Sequence, residues 1–269
     1  MSAFDTIAPN WREPAPARVR AAFTLRTGGV SAPPFDSLNV GGHVGDAADA
    51  VAENRRRVRE RLQLPSEPVW LQQVHGANVL ELDEPGSSVR LDPADAVITR
   101  RNGVVCTIQV ADCMPVLFAA PDGSVVGAAH AGWRGLAAGV LEATVRKMGV
   151  DAGQLLAWLG PAIGPDHFEV GDDVRTAFTE QDAEAASAFT PNARGRWQCD
   201  LYSLARRRLA AAGVSAVSGG GWCTYADATR FFSYRRDGQC GRMAAMIWLV
   251  PPSDADWPDA DWKGSRPRP

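Results

Sequence analysis

The sequence predicts a mixed α/β protein with a layered β core flanked by helices. Hydrophobic residues make up 45% of the 269-residue chain, enough to fill the core of a chain near the upper size of one domain. Short apolar runs bounded by Gly, Pro or Asp alternate with stretches in which apolar residues recur at helical spacing. We therefore expect one domain over residues 1–250. The tail, 251–269, is rich in Pro, Asp and charged residues and is predicted to be disordered.

The N-terminal part is predicted to form a strand, a long loop and a helix. The apolar run 19–25 favours a strand, and the Gly/Pro-containing stretch up to Gly42 favours a loop too long to be a simple connector. Asp46 is the expected cap of a helix that runs to about Leu62. Val51 and Val58 share the apolar face of that helix.

The remaining elements follow from the same two periodicities. Further strands are predicted at 69–74, 95–99, 104–110, 115–119, 125–129, 155–159 and 243–250, and helices at 133–148, 172–178 and 200–212. Gly149 is a suitable terminator for the helix 133–148.

Charge and cysteine usage narrow the classes of function. A formal net charge of −3 predicts no general affinity for nucleic acid or anionic membranes. No stretch reaches the length of a membrane span, and charged residues near the N-terminus argue against a signal peptide. Five widely spaced cysteines argue for reduced thiols. We expect a cytoplasmic protein, monomeric or weakly dimeric.

Two histidines and one cysteine lie beside predicted strand ends. His75 follows Gln72-Gln73-Val74, Cys113 follows Ala111-Asp112, and His130 opens His-Ala-Gly-Trp-Arg-Gly. Imidazole and thiolate are ligands that zinc prefers, and three protein ligands leave one position open for water or substrate. Spacings of 38 and 17 residues match no zinc finger, so the fold would have to assemble the site. The alternative is that each side chain is simply packed or hydrogen-bonded.

Neighbouring residues suggest contacts to an anion or a sugar. The glycine-containing turn after His130 opens the predicted helix, where free N–H groups favour phosphate, and Arg134 is the adjacent cation. Close packing by the glycines, with Arg134 merely exposed, explains the same residues. Arg26 and His43 are further candidates for phosphate or sugar contacts. Strand alternation would direct Gln73 to the face of His75.

Seven strings together resemble the YfiH, or laccase-domain, family over about residues 18–250. They are TLRTGGVS (24–31), GGHVGD (41–46), QQVHG (72–76), ADCMPV (111–116), HAGWRG (130–135), GPAIGPDHFEVG (160–171) and FFSYRRDGQCGRMAAMIWL (231–249). Members are described as zinc-containing purine nucleoside phosphorylases with adenosine deaminase activity, and were formerly assigned as copper polyphenol oxidases. The family includes a peptidoglycan editing factor.

The resemblance implies a site on this chain. It implies zinc bound by His75, Cys113 and His130, and a pocket that takes adenosine, inosine, guanosine or methylthioadenosine together with phosphate. The residues expected to act in catalysis or substrate binding are Arg26, His43, Gln73, Cys113, Arg134 and Cys223. Cys223 resembles the cysteine of the family's Cys-Thr pair, and a packed structural thiol is its alternative.

Three other functions compete with this interpretation. A thiol hydrolase would use Cys113 as nucleophile and His130 as base without a metal. A non-enzymatic or cell-wall editing role is the second. A copper oxidase is less favoured, because a multicopper centre needs more histidines than the four in this chain.

Overall fold

The computed structural model describes residues 5–12, 17–85 and 92–251. Its strands are β1 (Thr6–Ile7), β2 (Val19–Thr24), β3 (Val69–Trp70), β4 (Val79–Leu82), β5 (Ala96–Thr99), β6 (Val105–Val110), β7 (Met114–Ala119), β8 (Val126–Ala131), β9 (Leu156–Leu159), β10 (Glu169–Val170), β11 (Phe189–Pro191), β12 (Trp197–Cys199), β13 (Ala216–Gly219) and β14 (Met243–Leu249). Its α-helices are α1 (Ala48–Arg61), α2 (Trp133–Ala137), α3 (Val140–Met148), α4 (Asp172–Thr179), α5 (Leu201–Ala211) and α6 (Tyr234–Asp237). These elements confirm the mixed α/β class.

Two large sheets pack face to face and are covered by helices on their outer faces. The first has the order β1-β2-β14-β6-β3, and the second has the order β13-β9-β7-β8-β5-β4. A small third sheet, β10-β12-β11, lies beside the helices of the second. One apolar cluster joins the inner faces of the two large sheets, a second joins the second sheet to α2, α3, α4 and α5, and a third lies between the first sheet and α1. The layered β core is therefore confirmed.

Strand β7 shows how the sequence supports this layering. Val116 and Phe118 point to the helix-covered side, whereas Leu117 and Ala119 point to the opposite sheet. All four are fully buried. Because successive side chains of a strand point to opposite faces, a strand buried on both faces is a continuous apolar run and not an alternating one.

The structure corrects several predicted elements. The helix expected over 133–148 is two helices, separated at Gly139, which has a φ of 87°. Asp46 does not cap α1. Its carboxylate accepts hydrogen bonds from the Ser31 hydroxyl and the Asn39 amide, and Ala47 is the N-cap residue without a side-chain bond. Asp46 is therefore a polar anchor, but it bonds residues of the loop before the helix and not the helix N-terminus.

Several strands also differ from the prediction. The strand expected over 69–74 ends at Trp70. Beyond it, the side-chain amide of Gln73, and not the main chain of that segment, bonds the main-chain N–H and C=O of Gln109 in β6. The strands that were not predicted are β1, β4, β10, β11, β12 and β13. Of these, β4 is an edge strand with Glu81 exposed, and it pairs in parallel with β5. None of the helices in the described ranges has the length and apolarity needed to cross a membrane. The predicted tail from 252 onward lies outside the described residues.

Candidate metal centre

Strand pairing in the second sheet assembles the site at one sheet edge. The antiparallel β7–β8 pair sets Met114 opposite Ala131 and Pro115 opposite His130, so Cys113 emerges beside the end of β8. Strand β5 pairs with β8 through Ala96 and Ala129, and this register sets Asp95 beside His130. The parallel β4–β5 pair brings the segment before Val79, which includes His75, to the same edge.

The three predicted ligands converge there. One donor atom from each of His75, Cys113 and His130 lies within 4.8 Å of the other two. The Cys113 Sγ atom is 3.8 Å from Nε2 of His75, and the rings of His75 and His130 meet edge to face with centroids 4.7 Å apart. His75 is exposed, Cys113 is half-buried and His130 is buried. A site of this kind is closed on the His130 side and open to solvent on the His75 side.

Asp95 organises two of these ligands. Its Oδ1 atom is 2.8 Å from Nδ1 of His130 and accepts the main-chain N–H of His75 at 2.8 Å, while Oδ2 accepts the N–H groups of Val74 and Gly76. Asp95 is fully buried. A carboxylate bonded to one imidazole nitrogen fixes the ring and directs the other nitrogen, here Nε2, toward the metal position.

The electrostatics favour an ionised thiol. Burial opposes ionisation of Cys113, but His130 and His75 outweigh burial and lower the pKa of the thiol. Burial likewise opposes the imidazolium of His130, but Cys113 and Asp95 outweigh it and raise the pKa of His130. A thiolate is the form of cysteine that binds a metal.

The backbone around the ligands is shaped to admit a metal ion. A Cβ atom at Gly132 would lie 2.7 Å from Sγ of Cys113 and 3.2 Å from Cδ2 of His75, so glycine keeps the space between two ligands clear. His75 and Asp112 both have positive φ, at 62° and 89°. Such conformations cost about 1–3 kcal/mol in non-glycine residues and persist where the surroundings enforce them. The donor set and the cleared space fit a metal ion, and metal binding itself stays a prediction.

Asp112 ties the centre to two other segments. Its carboxylate accepts the Thr224 hydroxyl at 2.6 Å and the main-chain N–H of Arg235, at the start of α6, at 2.7 Å. Its carbonyl accepts the N–H of Ile163. Asp112 is thus an anchor that holds the turn before Cys113.

Arg26 lies at the end of β2 and its donors are largely engaged. The guanidinium bonds the carbonyls of Asp36 and Ala228 and the Asp36 carboxylate, and it stacks over Phe232 at 4.8 Å. This geometry holds the loop after β2 against the segment that precedes α6.

His43 is an exposed residue of the same loop region. Partial burial, and then the positive charges of Arg242 and Arg55, lower the pKa of His43. Arg242 in turn lies 5.9 Å from the ring centroid of Tyr234, whose neighbour Arg235 bonds Asp112. A chain of contacts therefore runs from the His43 loop to the residue before Cys113.

Gln73 precedes His75 by two residues, and Arg134 follows His130 by four. The Gln73 amide both donates to and accepts from the main chain of Gln109, at 2.9 Å and 2.8 Å, so it fixes the segment that leads to His75. Arg134 is exposed and stacks on Trp133 at the start of α2. That helix has only five residues, so its dipole is weaker than the predicted long helix would supply.

Cys223 is half-buried, and its Sγ atom lies 3.4 Å from Nδ1 of His167. Cys106 is fully buried in β6, within the strand that the sequence predicts over 104–110.

Sequence reasoning missed Asp95 and Arg242. Asp95 was placed at the start of a strand and given no function. The sequence does contain a sign of its role, since Asp95 directly precedes the apolar run Ala-Val-Ile-Thr. A carboxylate buried at the start of a core strand needs a polar partner. Arg242 carries no local signal, since its proximity to His43 comes only from the fold.

The fold and the site define a mixed α/β protein with a three-ligand His/Cys candidate metal centre at a sheet edge. The chain belongs to the family described as multi-copper polyphenol oxidoreductase laccase, whose model matches residues 20–250. It is 58% identical over 244 residues to the purine nucleoside phosphorylase PA4543 of Pseudomonas aeruginosa, covering 90% of this chain and 98% of that one. It is 53% identical over 245 residues to the purine nucleoside phosphorylase YfiH of Escherichia coli K12, covering 91% and 98%.

Solved structures share the fold over nearly the whole described chain. Protein NMB0706 of Neisseria meningitidis matches with a TM-score of 0.84 and 44% identity, covering 92% of this chain and 100% of that one. YlmD of Geobacillus stearothermophilus matches with a TM-score of 0.86 and 33% identity, covering 93% and 98%. These likenesses confirm the family resemblance that the seven strings indicated.

Proposed function

We propose that the chain is a zinc-dependent purine nucleoside phosphorylase that also deaminates adenosine. The observation that carries the proposal is the convergence of two imidazoles and one thiol at a sheet edge. Relatives at 58% and 53% identity that are named as purine nucleoside phosphorylases support it. The proposed substrates are phosphate and adenosine, inosine, guanosine or methylthioadenosine. Five free cysteines, all among the described residues, support the expected cytoplasmic location.

Zinc suits the donor set of His75, Cys113 and His130. Two imidazoles and a thiolate leave one tetrahedral position for water or substrate. When bound, zinc supplies a Lewis acid that polarises an oxygen or activates water. Copper is less favoured, because the described residues bring together one group of three such ligands and a multicopper centre needs more.

In this proposal some residues position the metal ligands, and others position phosphate and the ribose. Asp95 holds His130, and Asp112 holds the turn before Cys113, so both position the metal ligands. Phosphorolysis needs phosphate aligned with C1′ of the ribose while the purine departs, which calls for positioning and positive charge.

The phosphate or ribose side of the pocket is assigned to His43 and Arg134, with Arg242 as a further cation beside His43. Arg26 serves this side by fixing the loop after β2, since most of its donors already bond that loop and Ala228. Gln73 acts likewise on the segment before His75.

The direct test is product analysis with metal-replete protein. Adenosine with phosphate should give adenine and ribose 1-phosphate, together with some inosine or hypoxanthine. Omission of phosphate should abolish base release, and a chelator should suppress deamination. A folded, zinc-loaded protein that leaves all four nucleosides unchanged contradicts the proposal and favours the non-enzymatic role.

A Cys113 thiol hydrolase is a second candidate that one specific observation favours. Asp95, His130 and Cys113 follow one another in the order carboxylate, imidazole, thiol, and the Asp95–His130 contact is 2.8 Å. The same order occurs in enzymes that use a cysteine nucleophile. Hydrolysis of p-nitrophenyl acetate that persists in chelator and is lost in Cys113→Ser, with no reaction on nucleosides, would favour the hydrolase.

A further inference from the structure

A second Cys–His pair lies outside the metal centre, at the ends of β9 and β13. It lines a pocket of about 460 Å³ between the segment after β9 and the loop after β13. Cys223 and His167 form the reactive part of this pocket, and Tyr202, Arg206 and Trp222 form other parts of its wall. Neither Cys223 nor His167 is among the three grouped metal ligands.

Three hydrogen-bonding groups surround the sulfur of Cys223. Nδ1 of His167 lies 3.4 Å from Sγ, and the main-chain N–H groups of Gly164 and Ala226 point at Sγ from 3.2 Å and 3.4 Å. Hydrogen bonds donated to a thiolate stabilise its charge. The imidazole can accept the thiol proton, so the arrangement contains both a base and a pair of charge-stabilising donors.

The position of the imidazole is fixed by stacking. The rings of His167 and Tyr225 lie 4.5 Å apart with an interplanar angle of 23°. His167 itself lies in a short 3-10 helix, Pro165–His167, whose preceding residue is Gly164. A Cβ at Gly164 would come within 3.0 Å of Cβ of Cys223, so glycine permits this close approach.

Cys223 also differs from the chain's buried thiols. Cys106 and Cys199 are fully buried and Cys240 is 2% exposed, and burial raises the pKa of each of these thiols. Cys223 is half-buried and faces a pocket. Thiol reactivity requires access and a base that takes the thiol proton. Cys223 faces the pocket and has the His167 imidazole beside its sulfur.

We propose that Cys223 and His167 form a nucleophilic thiol site that reacts with low-molecular-weight disulfides. The Cys223 proton passes to Nδ1 of His167, and the sulfur attacks one sulfur of the disulfide. The S–S bond breaks, and the leaving thiolate takes the proton back from His167. The products are one mixed disulfide on Cys223 and one small thiol. This site needs no metal and goes beyond the proposed phosphorylase activity.

Other ionisable groups at the pocket set its charge. Tyr202, Asp166, Asp200 and Arg206 line it, and Tyr225 stacks on His167. The two carboxylates outnumber the one guanidinium, so the lining disfavours an anionic ligand. A neutral disulfide is therefore the suitable probe.

The test uses metal-replete protein with bis(2-hydroxyethyl) disulfide, followed by mass spectrometry. One adduct per chain is expected, on Cys223, and it should be absent in Cys223→Ser. His167→Asn should react at least about tenfold more slowly at pH 7, because the thiol then has no neighbouring base to take its proton. That difference should vanish near about pH 10, where solvent ionises the thiol without a base. If His167 had only a structural role, the reaction of His167→Asn would stay slow at high pH.

Two controls keep the result specific. Tyr225→Phe retains the stacking ring and should react at the wild-type rate, and Cys106→Ala should still form the adduct on Cys223. The proposal is overturned if folded, metal-replete protein forms no adduct on Cys223. It is equally overturned if His167→Asn reacts at the wild-type rate across the pH range.

Discussion

Replacing Gly132 by alanine should weaken metal binding and leave the metal-free protein folded. The added Cβ would lie 2.7 Å from Sγ of Cys113 and 3.2 Å from Cδ2 of His75. Optimal contacts lie at about 3.5–4.0 Å, so the sulfur must move by about 1 Å. Gly132 has φ −66° and ψ 160°, which alanine adopts freely, so backbone strain adds nothing.

The expected loss of metal affinity follows from the small displacement of a ligand atom that a metal site tolerates. Metal–ligand distances must stay within about 0.2 Å of their ideal values, and a shift of about 1 Å in one ligand exceeds that limit. We expect metal affinity to fall at least on the order of 10- to 100-fold, the range typical when residues supporting ligands are lost. Overpacking of the metal-free protein should cost only about 1–3 kcal/mol of unfolding free energy.

Competition titration with a chromogenic chelator measures the affinity, and thermal unfolding of the chelated protein measures the fold. The matched control is Gly153→Ala, where the nearest atom to the new Cβ is an Asp151 oxygen at 3.4 Å. Gly153 lies before β9, at the end of that strand remote from the centre. If Gly132→Ala binds metal as tightly as the control, the space beside Cys113 is not part of a metal site.

Three further predictions concern the ligands and the pocket. Cys113→Ser should lose metal by elemental analysis, whereas Cys106→Ser should keep it, since Cys106 is core; equal metal content in folded samples would contradict the ligand assignment. Asp95→Asn should weaken metal binding on the order of 10- to 100-fold, because an amide N–H facing His130 disturbs the ring's orientation, and an unchanged chelator titration would count against Asp95 as its support. His43→Ala should retain metal and raise the Michaelis constant for phosphate, leaving deamination less affected; parallel loss of both activities in steady-state assays would reject a separate phosphate side.

The core strands were predictable because their signal is local. The apolar run 115–119 lies within one residue of β7, and the run 104–110 within one residue of β6. Elements set by tertiary contacts were missed or misjudged. The helix pattern continued through Gly139, where the chain turns, and β4 exists because β5 lies beside it. Periodicity reports which residues are buried, and it does not report which partner buries them.

The candidate site likewise contains residues that the sequence identifies and residues whose role depends on tertiary contacts. His75, Cys113 and His130 were found because their side-chain chemistry and strand-end positions are visible in the sequence, and the family resemblance connected them. Asp95 could not be connected to them, because its distance to His130 depends on a strand register between β5 and β8 that no local pattern encodes. A metal centre at a sheet edge is thus specified by ligand chemistry in the sequence, and its geometry by hydrogen bonds that form only when distant strands pair.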